Sequence, residues 1–127
     1  LEMVAAYAVF PNRGIYVTPE AVRRGEDADG NIIEQSAAER REVLRPAVAV
    51  VMTDMMRSVM DPNGLGTGRG ARTRYGFRSP AAGKTGTTNN YVDAWFIGFT
   101  PWTFLQAVTS FSPHQSFFAY LFVSSQK

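Results

Sequence analysis

Residues 82–101 read AGKTGTTNNYVDAWFIGFTP, and the prediction of the fold rests on them. Residues 81–87 and 91–99 both predict strands, and the turn-forming residues 88–90 join them. Successive side chains alternate across a strand, so Trp95 and Phe96 are expected on opposite faces of a sheet. The stretch therefore predicts a sheet whose first strand carries a lysine and two threonines.

The first strand has the residue types of a site for acyl transfer. The ammonium group of Lys84 can hold a substrate carboxylate, or lower the pKa of a neighbouring hydroxyl through its positive charge. Thr85 and Thr87 are two residues apart, so their hydroxyls face the same side and can bond one carboxylate. Gly86 faces the other way, where the missing side chain is expected to permit close packing. An exposed N–H of such a strand can stabilise an oxyanion.

Gly83, Lys84 and Thr85 also raise the alternative of a phosphate-binding loop. That loop needs a glycine five positions before its Gly-Lys pair and a helix directly after it. The glycine position is occupied by Arg78, and the residues after Lys84 favour a strand and a turn. Residues 66–70 do not complete a dinucleotide-binding motif either. A nucleotide-binding protein is therefore the least supported function.

The residues before this sheet predict an α/β fold in which helices flank an antiparallel sheet. Residues 3–10 are apolar and rich in alanine, which predicts a buried helix closed by a glycine turn. Residues 27–30 (DADG) predict a surface hairpin between strand-like residues in 15–24 and in 31–34. The charged residues 36–45 predict an exposed connection.

Pro46 begins the clearest helix of the sequence, which residues 61–64 end. Methionines on one face of a helix allow a flexible binding groove, but core packing is the commoner explanation. We expect core packing of the apolar face, which is made of Val48, Val51, Met52, Met55, Met56 and Val59.

Residues 64–80 contain five glycines interleaved with four arginines, which predicts a loop beside a site. Between Met60 and Asp93 the only acid is Asp61, so this part of the chain is basic. Such a cluster is typical of a solvated surface, but it also permits an alternative function, a non-catalytic module that binds an anionic polymer. The net charge of +2 gives no argument for a nucleic-acid partner.

The composition excludes several kinds of site. The chain has 127 residues, in the range of one domain, and no cysteine, so disulfides and cysteine catalysis are excluded. His114 is the single histidine, which leaves no histidine-based metal cluster, and the sequence shows no obvious serine–histidine triad. The sequence calls for no cofactor and no metal, and no apolar run is long enough to span a bilayer.

The extended motif AGKTGTTNN at 82–90, followed by DAWFIGFTP at 93–101, closely resembles the bifunctional (class A) penicillin-binding proteins. Lys-Thr-Gly is one of three signatures of that group. The resemblance extends upstream to the first residues of the chain and covers about residues 1–101. It implies a β-lactamase-like transpeptidase fold, incomplete in this chain and represented by its C-terminal portion.

The resemblance also implies roles for residues of the first strand. Lys84 matches the lysine that interacts with the terminal carboxylate of the substrate and with the proton network of the active site. Thr85 and Thr87 match hydroxyls that bind the carboxylate of a peptidoglycan stem peptide or of penicillin, with Gly86 between them. The N–H of Thr87 matches half of an oxyanion hole. Lys84 and Thr87 are therefore catalytic candidates, and Thr85, Gly86 and Thr87 are substrate-binding candidates.

What is implied for the whole protein follows from the same resemblance. The family cross-links D-Ala-D-Ala-ended stem peptides through an acyl-serine intermediate, with glycosyltransferase activity elsewhere in the chain. Its members are anchored in the cytoplasmic membrane and act on the outer face, in the cell envelope. The expected partners are peptidoglycan stem peptides and β-lactams.

Two of the three family signatures are missing from this sequence. The nucleophile of the family lies in a Ser-x-x-Lys that precedes the Lys-Thr-Gly, whereas the match here is at 124–127, after it, and is interpreted as a coincidence. No Ser-x-Asn occurs. We therefore predict that this chain alone is not acylated. Residues 102–127 are predicted to be an atypical tail, divergent or out of frame, with a genuine strand plus tail as the alternative.

Overall fold

The structure, a computed structural model, describes residues 2–89, 93–112 and 115–124. Within these ranges no helix has both the length and the apolar character needed to cross a bilayer. The elements in chain order are α1 (Glu2–Ala8), β1 (Ile15–Val17), β2 (Arg24–Glu26), β3 (Ile32–Gln35), β4 (Arg40–Glu42), α2 (Pro46–Ser58), α3 (Gly70–Thr73), β5 (Ala82–Thr87), β6 (Asp93–Phe99), β7 (Thr103–Ser112) and β8 (Gln115–Ser124). The predicted mixture of helices and antiparallel strands is confirmed.

The last four strands form one antiparallel sheet in the order β5-β6-β7-β8. The predicted pairing of β5 with β6 is confirmed, with Thr85 opposite Phe96, although residues 90–92 of the predicted turn and strand lie outside the described residues. The segment predicted to be an atypical tail contributes β7 and β8, which pair with each other. β5 and β8 are therefore the two edges of the sheet. The division of the chain at residue 101 stays a prediction.

The core lies where α2 packs on one face of this sheet. Met56 of α2, Ala82 of β5 and Phe99 of β6 are buried together, and Phe104 of β7 packs against them. The rings of Phe99 and Phe104 lie 6.1 Å apart between centroids. Because Ala82 is the first residue of β5, the core fixes this strand two residues before Lys84.

The buried face of α2 is rotated by about a quarter of a helical turn from the predicted face, so this prediction is wrong. Met56 is buried, but Val51 and Met55 of the predicted face are 59% and 60% exposed. Ala49, which is absent from the predicted face, is completely buried. Alanine has a small apolar side chain, so a pattern built on large hydrophobic residues does not mark Ala49 as buried.

Two short two-stranded ribbons precede α2. β2 and β3 form the predicted hairpin around residues 27–30. β1 does not take part in it, because Ile15–Val17 pairs with β4 at Arg40–Glu42. The interpretation of residues 36–45 as a plain connection is therefore wrong. All three side chains of β4 are exposed, so no hydrophobic pattern marks it as a strand.

Candidate active site

β5 presents polar groups along an open edge of the sheet. In an antiparallel pair, residues that exchange hydrogen bonds with the partner strand alternate with residues that do not. The N–H of Thr88 donates to the carbonyl of Asp93 at 3.0 Å, so by this alternation the N–H groups of Thr85 and Thr87 point away from β6. The N–H of Thr87 therefore lies on the open side of the strand, where a ligand can reach it. Its oxyanion role stays a prediction.

The charge of Lys84 is held at this same edge. Its side chain is exposed, and Nζ donates to the carbonyl oxygen of Thr85 at 2.5 Å. Among the described residues it is the sole lysine, because the second lysine of the sequence, Lys127, lies outside them. The structure therefore brings the ammonium group close to the free N–H groups of β5. An ammonium beside backbone donors suits an anionic group.

The hydroxyl of Thr85 is contacted from outside the strand. Thr85 and Thr87 share one face of β5, as predicted, and Thr85 is the half-buried member of the pair. Its Oγ1 lies 2.5 Å from Oγ1 of Thr67, in the loop between α2 and α3. Thr67 is a candidate site residue for which the sequence predicted no role. The available signal was a threonine between two glycines, Gly66 and Gly68, inside the region that resembles the family.

Two of the four arginines of the loop 64–80 hold the loop itself together. Arg72 donates to the carbonyl of Ser79 at 3.0 Å and lies 5.6 Å from the ring centroid of Phe77. Arg69 donates to the carbonyl of Gly64 at 3.5 Å. The alternative of an anionic-polymer-binding module therefore has less uncommitted charge than the sequence suggests.

The position of Gly83-Lys84-Thr85 decides against a nucleotide site. These residues lie inside the strand Ala82–Thr87, whereas a phosphate-binding loop requires a helix to begin there.

The prediction of close packing at Gly86 is wrong, because a Cβ there would meet only the Cβ of Trp95, at an ordinary 3.5 Å. The close approach is at Gly83, where a Cβ would lie 2.6 Å from the ring of Phe96.

Ser124, the first residue of the Ser-x-x-Lys match at 124–127, is far from this edge. Ser124 ends β8, and residues 125–127, like His114, lie outside the described residues. β8 is at the opposite edge of the sheet, three strand spacings from β5, or roughly 14 Å. This separation supports the interpretation of the match as a coincidence.

Comparison with known proteins extends over most of the chain. The family model described as the penicillin-binding protein transpeptidase domain matches residues 1–114. Penicillin-binding protein 1A of Aquifex aeolicus is 38% identical over 102 residues, which cover 80% of this chain and 13% of that protein. Penicillin-binding protein 1A of Clostridium acetobutylicum is 35% identical over 100 residues, covering 79% of this chain and 12% of that protein. The chain thus spans a small part of each relative.

A solved structure shares the fold. The crystal structure of penicillin-binding protein 1A from Haemophilus influenzae matches with a TM-score of 0.65 at 23% identity, over 77% of this chain and 20% of that one. At this identity the likeness supports the fold alone, an antiparallel sheet with helices that is incomplete here. The family model covers both the Lys84–Thr87 edge and the Thr67 loop. The chain therefore belongs to the penicillin-binding protein transpeptidase domain family.

Proposed function

We propose that this chain is the C-terminal, substrate-binding part of the transpeptidase domain of a bifunctional (class A) penicillin-binding protein. The parent protein cross-links D-Ala-D-Ala-ended stem peptides of peptidoglycan through an acyl-serine intermediate, and β-lactams bind at the same site. It carries a glycosyltransferase activity elsewhere and is anchored in the cytoplasmic membrane, acting on its outer face. The observation that carries the proposal is the convergence of Lys84, Thr85 and Thr67 at the open edge of β5.

Substrate binding begins with the terminal carboxylate of the stem peptide at Lys84. The ammonium now donates to a neutral backbone carbonyl, that of Thr85. A carboxylate is a better acceptor, because a hydrogen bond between two charged groups is roughly twice as strong as one between neutral groups. The hydroxyls of Thr85 and Thr87 lie on one face of the strand and supply the further donors that fix the orientation of the carboxylate.

The free N–H of Thr87 serves the chemical step. When a serine attacks the substrate carbonyl, negative charge develops on its oxygen, and a donor already oriented toward that oxygen needs no reorganisation. The edge of a strand holds its N–H groups in fixed directions, so the N–H of Thr87 is such a donor. The sequence has no Ser-x-x-Lys before Lys84, so the attacking serine is not supplied by these residues.

The binding step is tested by titrating N-acetyl-D-alanyl-D-alanine into the isotope-labelled chain and recording amide NMR signals. We expect concentration-dependent shifts at Thr85 and Thr87, and a loss of about ten- to a hundred-fold in affinity for Lys84→Gln, the value of one hydrogen bond to a charged group. Arg74→Gln is the charge-matched control, because Arg74 is exposed on the loop instead of β5.

Two results would contradict the proposal. One is a wild-type chain that shows no shifts at β5. The other is an equal loss for Arg74→Gln and Lys84→Gln, which would favour salt-sensitive binding of an anionic polymer by the basic loop.

A separate measurement concerns acylation. Incubation with a fluorescent penicillin, followed by a denaturing gel, should show no covalent band. A band abolished by Ser124→Ala would show that the terminal Ser-x-x-Lys is reactive.

A further inference from the structure

Thr67 contacts β5 through a short hydrogen bond between two hydroxyls. The 2.5 Å between its Oγ1 and that of Thr85 is at the short end of the range for O–H···O bonds. Either oxygen can be the donor. The two residues are 18 positions apart in the sequence, so the contact depends on how the loop is placed against the sheet.

The loop around Thr67 is fixed by its packing against the end of α2. The N–H of Gly68 donates to the carbonyl of Val59 at 3.0 Å. A Cβ at Gly66 would collide with that same carbonyl oxygen and would lie 2.6 Å from the carbonyl oxygen of Ser58. Met56, two residues before Ser58 in α2, packs in the core against Ala82 of β5. One helix therefore places both the strand and the loop that contacts it.

We propose that Thr67 is a positioning residue, which commits the hydroxyl of Thr85 to donating its hydrogen toward the substrate carboxylate. This inference rests on the proposed function. A threonine hydroxyl has one hydrogen and two acceptor positions. When Thr67 donates to Thr85, it fills one acceptor position of Thr85 and leaves the hydrogen of Thr85 for the ligand. Hydrogen bonds in such a chain polarise one another, which makes Thr85 the stronger donor.

The ligand selects this order of donors. Without a ligand, the hydrogen between the two oxygens can come from either threonine. A carboxylate has no hydrogen to give, so its bond with Thr85 requires that Thr85 donates to it and accepts from Thr67. The contact with Thr67 therefore contributes to affinity as well as to the placement of the loop.

The inference is tested with the same chain and the same dipeptide titration. Thr67→Val keeps the shape of the side chain and removes the hydroxyl, and we expect affinity to fall about three- to ten-fold, the value of one ordinary hydrogen bond. Thr67→Ser keeps the hydroxyl and should retain affinity close to that of the wild type. Melting temperatures of both variants show whether the loop is still folded.

A double-mutant cycle separates positioning from a general structural role. If Thr67 acts through Thr85, then Thr67→Val has no further effect on affinity once Thr85→Val has removed the second hydroxyl. An additive loss in the double variant would contradict the inference, and so would a Thr67→Val chain that binds as well as the wild type.

A measurement without ligand distinguishes this inference from the function on which it rests. Three-bond couplings should show one side-chain rotamer of Thr85 in the wild type and averaging between rotamers in Thr67→Val. Failure of the wild type to bind the dipeptide would overturn the proposed function. A Thr85 rotamer that is unchanged in Thr67→Val would overturn the positioning role, whatever the wild type binds.

Discussion

The β5–β8 sheet and the two ribbons near the N-terminus are both antiparallel, but different interactions hold them. The sheet is fixed to α2 by buried side chains, those of Met56, Ala82 and Phe99. In the ribbons, β3 and β4 are exposed along their whole length, so backbone bonds and turn residues hold them in place. A ligand site needs groups whose positions are fixed, and the candidate site lies on the part of the molecule that has a core.

The largest effect should follow from removing a core contact of the sheet. Met56 is 5% exposed, and Met56→Ala leaves a cavity beside Ala82. We expect the free energy of unfolding to fall by about 2–5 kcal/mol. Denaturant titration followed by circular dichroism measures this change. Because Ala82 begins β5, the amide signals of Lys84 and Thr85 should shift as well.

Met55→Ala is the matched control, since Met55 is adjacent and 60% exposed. Its substitution should change the free energy of unfolding by less than about 0.5 kcal/mol. Equal losses for the two methionines would mean that the sequence pattern, which put both on the buried face, describes the helix better than the structure does.

The outcome for α2 shows what a sequence pattern can and cannot predict. Its start at Pro46 was predicted, because proline fits the first turn of a helix and that preference is local. The pairing of β5 with β6 was predicted for the same reason, from alternation and a turn. Met56 of α2 is buried with Ala82 and Phe99, which lie far along the chain, and no pattern within the helix identifies such partners.

An intermediate effect is expected at the turn that joins α1 to β1, in the ribbon formed by β1 and β4. Gly14 has φ 91°, and a Cβ there would collide with the carbonyl oxygen of Leu44, which follows β4. The carbonyl of Gly14 also accepts the N–H of Val43 at 2.9 Å. We expect Gly14→Ala to lower the free energy of unfolding by about 2–3 kcal/mol, measured by denaturant titration.

Gly30→Ala separates backbone strain from collision. Gly30 has φ 85°, but a Cβ there meets nothing within 4 Å. Only the cost of a left-handed conformation remains, about 1–2 kcal/mol. Equal destabilisation by Gly30→Ala and Gly14→Ala would mean that the collision with Leu44 adds nothing to the backbone strain. The close contact between Gly14 and Leu44 would then not stabilise the ribbon of β1 and β4.

The pairing of β1 with β4 and the contact of Thr67 with Thr85 were both missed because no local sequence pattern marks either of them. Residues 40–42 are three consecutive charged residues with no alternation of apolar and polar side chains. Thr67 lies in a loop whose glycines predict freedom, and its restriction comes from the carbonyl groups at the end of α2. The sequence predicted the residues of the candidate site that share one strand, and missed the one that packing brings to it.

The smallest effect is expected at the hairpin of β2 and β3, and it depends on pH. Oδ1 of Asp27 accepts the N–H groups of Asp29 at 2.9 Å and Asn31 at 2.8 Å, and Oδ2 accepts Nδ2 of Asn31 at 2.9 Å. The bond from the Asn31 side chain, followed by that from its backbone, lowers the pKa of Asp27 below the ordinary 3.8. The folded form is the one with the lower pKa, so this stabilisation is complete above the ordinary value and is lost as the pH falls through the folded pKa.

Amide exchange and chemical shifts of Gly30 and Asn31 should therefore report local fraying below about pH 4, the range in which an unperturbed aspartate is protonated. Asp27→Asn keeps an acceptor oxygen but cannot titrate, and its hairpin should show a flat pH profile. The signals of Lys84 and Thr85 should stay constant over the same range, because the sheet is held by buried apolar contacts that do not titrate. If the sheet and the hairpin lose order together, the two regions form one cooperative unit and share their stability.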